Sequence, residues 1–121
     1  MAWDLDADRP IYTQLVERIQ TQIVSGHYSP GDRLPSVREL AAEAAVNPNT
    51  MQKAFAELER SGLIITQRTN GRTVTEDVDL IKKIQSGMAK GSIDSFFSKM
   101  KELGYSESEA VELLRYASQD D

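Results

Sequence analysis

The chain has 121 residues, 40% of them hydrophobic, with no cysteine and a formal net charge of −5. That length holds one domain, or a small domain with an appendage, and a modest core without a large ligand cavity. Lack of cysteine excludes a disulfide framework and thiolate chemistry. No stretch approaches the roughly 20 apolar residues of a membrane span, and the aspartate-rich N-terminus is not a signal peptide, so the expectation is a soluble cytoplasmic protein.

Residues 1–9 read as an acidic lead-in, with Trp3 and Leu5 as anchors onto the body. Pro10 opens a helix to about Ser25, with Ile11, Leu15, Ile19 and Ile23 at four-residue spacing and Tyr12 and Val16 beside them. Gly26 stops it, and Ser29-Pro30-Gly31-Asp32 is a turn by composition. Leu34-Pro35 then leads into Ser36-Val37-Arg38-Glu39, a capping box in which Ser36 caps the backbone and Glu39 reaches back. The second helix is short, Val37 to Ala44, and Ala45-Val46 turns into a third.

Asn47 is a good N-cap for that third helix, because its side-chain oxygen accepts from the free N–H groups of the first turn. Pro48 suits the first helical position, where no donor is needed. Met51, Ala54, Phe55 and Leu58 recur at i, i+3, i+4, i+7 and predict one buried face. The other face carries Asn49, Thr50, Gln52 and Lys53, and such a donor-rich tip is able to read base edges; an ordinary capped surface helix is the plainer alternative. Gly62 is placed to end the helix. Helix, tight turn, helix is the helix-turn-helix pattern, whose second member enters the major groove.

Leu63-Ile64-Ile65-Thr66-Gln67 reads as a strand and Arg72-Thr73-Val74-Thr75 as its return, with Asn70-Gly71 as a tight hairpin turn of positive φ. Arg68 and Arg72 flank the tip, where guanidinium groups reach phosphates or the minor groove; a merely solvated tip is the alternative. From Val78 the helical period returns through Ile81, Ile84 and Met88, then Phe96, Phe97, Met100 and Leu103. Gly87 and Gly91 weaken its middle by up to ~1 kcal/mol each relative to Ala, so either one helix or two in tandem fits. After Gly104, Ser106-Glu107-Ser108-Glu109 is a second capping box, opening a helix with Val111, Leu113, Leu114 and Ala117 on one side. This apolar surface has no partner within the winged unit, and a symmetric dimer would bury it.

The charge is uneven. Residues 33–72 carry six basic and four acidic side chains, whereas residues 76–121 carry six basic and ten acidic. His27 stands alone near a turn, and no glycine-rich phosphate loop, metal-spaced cluster or Ser/His/Asp set appears. The paired acids Glu57 and Glu59, or Glu107 and Glu109, read as solvated helix faces. No catalytic residue, metal or cofactor is expected.

Pro10-Ile11-Tyr12-x-Gln14-Leu15, the run from Ser29 to Ala41 (SPGDRLPSVRELA) and Val46-Asn47-Pro48-Asn49-Thr50 resemble, in order, the N-terminal winged helix of GntR-family bacterial transcription factors. The resemblance runs through Gly62-Leu63-Ile64 and covers roughly residues 10–75. The short two-helix tail resembles the YtrA-like branch, whose members typically dimerise through it and often repress operons for membrane transporters. The resemblance implies that Arg38 approaches a guanine, where a bidentate fork to O6 and N7 suits it. It places Asn47, Pro48, Asn49, Thr50 and Gln52 at the recognition tip, with Thr50 and Lys53 on phosphates. Arg33 and Ser36 match backbone-contacting positions, and Arg68, Thr69, Asn70, Gly71 and Arg72 match the wing.

Two departures stand out. Ala45 occupies a position commonly held by glycine, which is strained if its φ is positive. Thr73 replaces the aromatic of the common Arg-Gly-x-Gly-Thr-Phe-Val wing, which loosens the wing.

The expectation is thus a mostly α protein: a winged helix-turn-helix of three helices and a two-stranded wing in residues 1–75, then a helical dimerisation tail in residues 76–121. Its partners would be double-stranded operator DNA with an inverted repeat and a second copy of the chain, with no membrane partner. Any small-molecule effector would sit at the dimer interface rather than within one tail. A winged helix used for protein–protein contact is the other reading, and salt-dependent binding to duplex DNA separates the two.

Overall fold

In the computed structural model, which describes residues 2–119, the elements run α1 (Ile11–Val24), α2 (Val37–Ala44), α3 (Pro48–Arg60), β1 (Ile64–Gln67), β2 (Gly71–Val74), α4 (Val78–Glu102) and α5 (Glu107–Gln119). They fall into two compact units, divided between Gln85 and Ser86. No helix among the described residues is long and apolar enough to cross a membrane.

The first unit is built around α3, which packs against α1, α2 and β1. The apolar face expected for α3 is its buried face: Met51, Ala54, Phe55 and Leu58 are all fully buried. α1 contributes Leu15, Ile19 and Ile23 to the same core, and the start of α4 adds Ile81 and the partly buried Ile84. Burying the side chain of a Leu, Ile or Phe is worth about 1.5–3 kcal/mol each, so this cluster is the main stabilising term of the unit.

The acidic lead-in is fastened rather than loose. Gln14, buried on α1, donates from Nε2 to the carbonyls of Asp6 (2.6 Å) and Arg9 (3.1 Å) and accepts from the Asp6 N–H (2.6 Å). A buried amide with its hydrogen bonds made avoids the desolvation penalty of an unpaired polar group. Trp3 is buried as expected, donates from Nε1 to Glu43 (3.0 Å) and lies under the Arg18 guanidinium.

The wing corrects the expected turn. Asn70-Gly71 is not a two-residue turn: Gln67 pairs with Gly71, leaving Arg68, Thr69 and Asn70 as a three-residue loop. Gly71 alone takes a positive φ there, +69°, and Asn70 does not, as fits a longer hairpin loop closed by one left-handed residue. The reason is burial. A turn centred on Asn70-Gly71 would pair Thr69 with Arg72 and put Ile64 and Val74 on opposite faces. In the observed register these two pair and both are buried.

The turn at Ser29–Asp32 also runs into an edge segment that composition conceals. Gly31 N–H donates to Val74 O (2.9 Å), Val74 N–H to Asp32 O (2.9 Å) and Leu34 N–H to Arg72 O (2.8 Å), with Arg33 opposite Thr73. Flanking prolines at 30 and 35 hid this strand-like piece.

α4 is a single helix through Gly87 and Gly91, so one of the two alternatives for this stretch holds. In the second unit α5 begins at the expected capping box: Glu109 N–H donates to Ser106 Oγ (3.2 Å) and Ser106 N–H to Glu109 Oε1 (2.9 Å). Those bonds, the backbone one first, hold the Glu109 carboxyl below its usual range. Ala110 is fully buried, while Ile93, Leu103, Leu113, Leu114 and Tyr116 are exposed.

Candidate nucleic-acid interface

Two helix N-termini carry the candidate residues. α2 opens at Ser36, whose hydroxyl oxygen accepts from Glu39 N–H (3.1 Å) while Glu39 Oε1 accepts from Ser36 N–H (3.2 Å). Arg38, the second residue of α2, is exposed and has no ion-pair partner among the described residues. α3 opens at Asn47, whose Oδ1 accepts from Asn49 N–H (2.7 Å) with Pro48 at the first helical position. That bond commits the Asn47 oxygen to the cap and leaves its amide NH₂ to act as donor. Asn47, Pro48, Asn49, Gln52 and Lys53 are exposed and Thr50 is half-buried, so one end of the helix presents a solvent-facing set of amide, hydroxyl and ammonium groups.

Lys53 does not extend freely. Its Nζ sits 4.0 Å from the centroid of the Tyr12 ring on α1, a cation–π contact that sequence spacing gave no means of finding.

At the wing, Arg68, Thr69 and Asn70 form the exposed loop. Arg72 is turned away from that tip, against the expectation that it projects. Its Nε donates to Glu59 Oε1 of α3 at 2.7 Å and its guanidinium lies over Phe55. Glu59 also accepts from the Thr66 hydroxyl at 3.0 Å. The Arg72 bond, outweighing partial burial, holds the Glu59 carboxyl below its usual range. Glu59, read from sequence as part of a solvated face, therefore ties the wing to α3.

The structure brings Arg33, Ser36, Gly71 and Arg72 together around one cleft between the start of α2 and β2, lined also by Tyr28 and Glu39. Asn47 and Thr50 border a separate groove with Trp3, Leu5 and Ile11. Helix termini with free N–H groups and guanidinium side chains on one head are suited to phosphate backbones, and the donors of α3 to base edges.

Comparison with known proteins agrees with this chemistry. Residues 11–74 match the family model for bacterial regulatory proteins of the gntR family. The chain is similar to the HTH-type transcriptional regulator YhcF of Bacillus subtilis, 36% identical over 88% of each chain. It is likewise similar to the HTH-type transcriptional repressor YtrA of the same organism, 36% identical over 83% of this chain and 72% of YtrA. Among solved structures, a GntR family transcriptional regulator from Listeria monocytogenes superposes with a TM-score of 0.84 at 41% identity, covering 93% of this chain and 98% of that one. The DNA-binding domain of AraR in complex with its operator ORX1 superposes with a TM-score of 0.53 at 28% identity, over 62% of this chain and 92% of that one. With the capped helix-turn-helix and wing in place, the chain belongs to the GntR family and is a DNA-binding transcriptional regulator of the YtrA-like kind, not an enzyme.

Proposed function

We propose that the protein is a dimeric repressor that reads an inverted-repeat operator, with residues 1–75 as the reading head and residues 76–121 as the dimerisation tail. The observation that carries the reading is the exposed tip of α3, where Asn47, Asn49, Thr50, Gln52 and Lys53 face solvent or its edge on a helix capped for groove entry. Arg38 forks onto a guanine, the α3 tip reads neighbouring bases, and Thr50 and Lys53 hold phosphates. Arg33, Ser36 and the wing residues Arg68, Thr69, Asn70, Gly71 and Arg72 grip the backbone. The similarity to YtrA, a repressor by name, supports repression, and the YtrA-like tail supports a transporter-type operon as the target. The bacterial family and the lack of any membrane-spanning helix among the described residues support a cytoplasmic location.

The test is binding to the DNA just upstream of the protein's own gene, titrated with salt. A selective complex with two protomers per site is expected, its log affinity falling linearly with log salt as phosphate counterions are released. Arg38→Ala should cost about 1–3 kcal/mol on the cognate site and relax one base position. Equal loss on every sequence would make Arg38 a phosphate contact, and absence of salt-sensitive binding would overturn the repressor reading.

A further inference from the structure

The cleft between the start of α2 and β2 has a volume of about 420 Å³ and is lined by Tyr28, Arg33, Ser36, Glu39, Gly71 and Arg72, with Leu34 and Pro35 between them. Its donors outnumber its acceptors. Arg33 has no ion-pair partner among the described residues. Arg72 gives Nε to Glu59, which fixes the guanidinium and leaves both terminal nitrogens to donate. Ser36 Oγ accepts from Glu39 N–H, so its proton is spare. The one acid, Glu39, has an oxygen taken by Ser36 N–H. The floor is firm, because the 31–34 segment is bonded to β2 at Gly31, Asp32 and Leu34.

Tyr28 is the lining residue that nothing so far has used. Its ring packs against the core and meets His27 edge-on at 4.8 Å, and its backbone N–H is held by Gln22 O at 3.1 Å. The phenol hydroxyl is a proton donor at neutral pH, and burial, with Glu43 nearby, raises the phenol above its ordinary range.

We propose that this cleft seats one phosphodiester of the DNA backbone, and that the Tyr28 hydroxyl is a further DNA-binding group completing the seat. A phosphate oxygen pair matches the planar guanidinium fork. The inference rests on the reading of α2 and the wing as DNA-contacting. It assigns Arg72 to a phosphate rather than to the minor groove.

Tyr28→Phe keeps the ring and removes only the hydroxyl. The expected result is an unchanged melting temperature and about tenfold weaker binding, the scale of one hydrogen bond to a charged group, by the same factor on operator and on unrelated duplex. Single methylphosphonates are then placed along the operator. At the seated phosphate the neutral linkage weakens the wild type, and Tyr28→Phe adds little to that loss; at other positions the two losses add. Arg33→Gln, which alters an exposed side chain and leaves the core alone, must show its coupling at the same linkage. Wild-type affinity in Tyr28→Phe, or additivity at every linkage, would overturn the seat while leaving the DNA reading intact. A wild-type protein that binds no duplex would overturn both.

Discussion

Ala45 closes α2 at φ +61°, ψ +47°, with its N–H shared between Ala41 O and Ala42 O. An L-residue in this left-handed region is disfavoured by about 1–2 kcal/mol, because Cβ crowds the carbonyl oxygen. Ala45→Gly removes that crowding but gains backbone entropy in the unfolded chain, so the expected net stabilisation is about 0.5–1 kcal/mol. Urea denaturation checks it; a lower midpoint for Ala45→Gly would show that the strain at this turn is smaller than the entropy cost of glycine. The resemblance to the family, which commonly has glycine here, marked the position as strained if its φ were positive, and the φ of +61° meets that condition. The Ser36 and Asn47 caps were legible because a cap depends on residues within three positions. The partners of Arg72 and Lys53 were not. Glu59 lies 13 residues from Arg72, and Tyr12 stands on another helix, so both contacts exist only after packing and strand register are set.

Between α3 and the wing the chain adds an ion pair laid over an aromatic ring to the buried packing of Ile64 and Val74. Thr73, in place of the common aromatic, is buried but small, and the Glu59–Arg72 bond over Phe55 adds a polar tie between hairpin and α3. Because the Glu59 carboxyl is depressed below its unfolded value of 4.5, its contribution is fully present above that value and is lost as pH falls through the lower folded one. Both side chains remain about a quarter to a third exposed, so the pair is worth no more than ~1 kcal/mol. Glu59→Gln should therefore lower stability by up to ~1 kcal/mol at pH 7, with the gap to wild type closing in acid. Denaturation at pH 7 and pH 3 measures this, and a gap that does not change with pH would mean that the ion pair contributes nothing. At this scale periodicity, caps and turn residues placed α1, α2, α3, the start of α5 and both strands to within a residue or so and left α4 as one helix or two. The edge segment at Asp32–Leu34 escaped because three bonded residues between prolines carry no repeat.

For the molecule as a whole the open question is what the tail does for the head. The head has its own core, from Trp3 through Val74 and completed by Ile81 at the start of α4, and the exposed apolar side chains of α5 take no part in it. Leu114 at 49% and Tyr116 at 65% exposure leave α5 with apolar side chains that a single chain does not cover, and a second copy would remove them from water. The tail is also acidic, with ten acids against six basic residues from Glu76 onward, which disfavours its own contact with phosphates. If it serves as the dimer interface, its effect on DNA binding is one of linkage: the second head binds at the effective concentration set by the first, a gain of about 10²–10⁴ without any new contact to DNA. Leu114→Glu combined with Tyr116→Glu should then give a monomer by analytical ultracentrifugation. Its binding to a single half-site should match the wild type, while its affinity for the full inverted repeat falls by about two to four orders of magnitude. Loss on the half-site as well would mean that the substitutions reached the head. A variant that stays dimeric with full affinity would move the interface elsewhere on the chain.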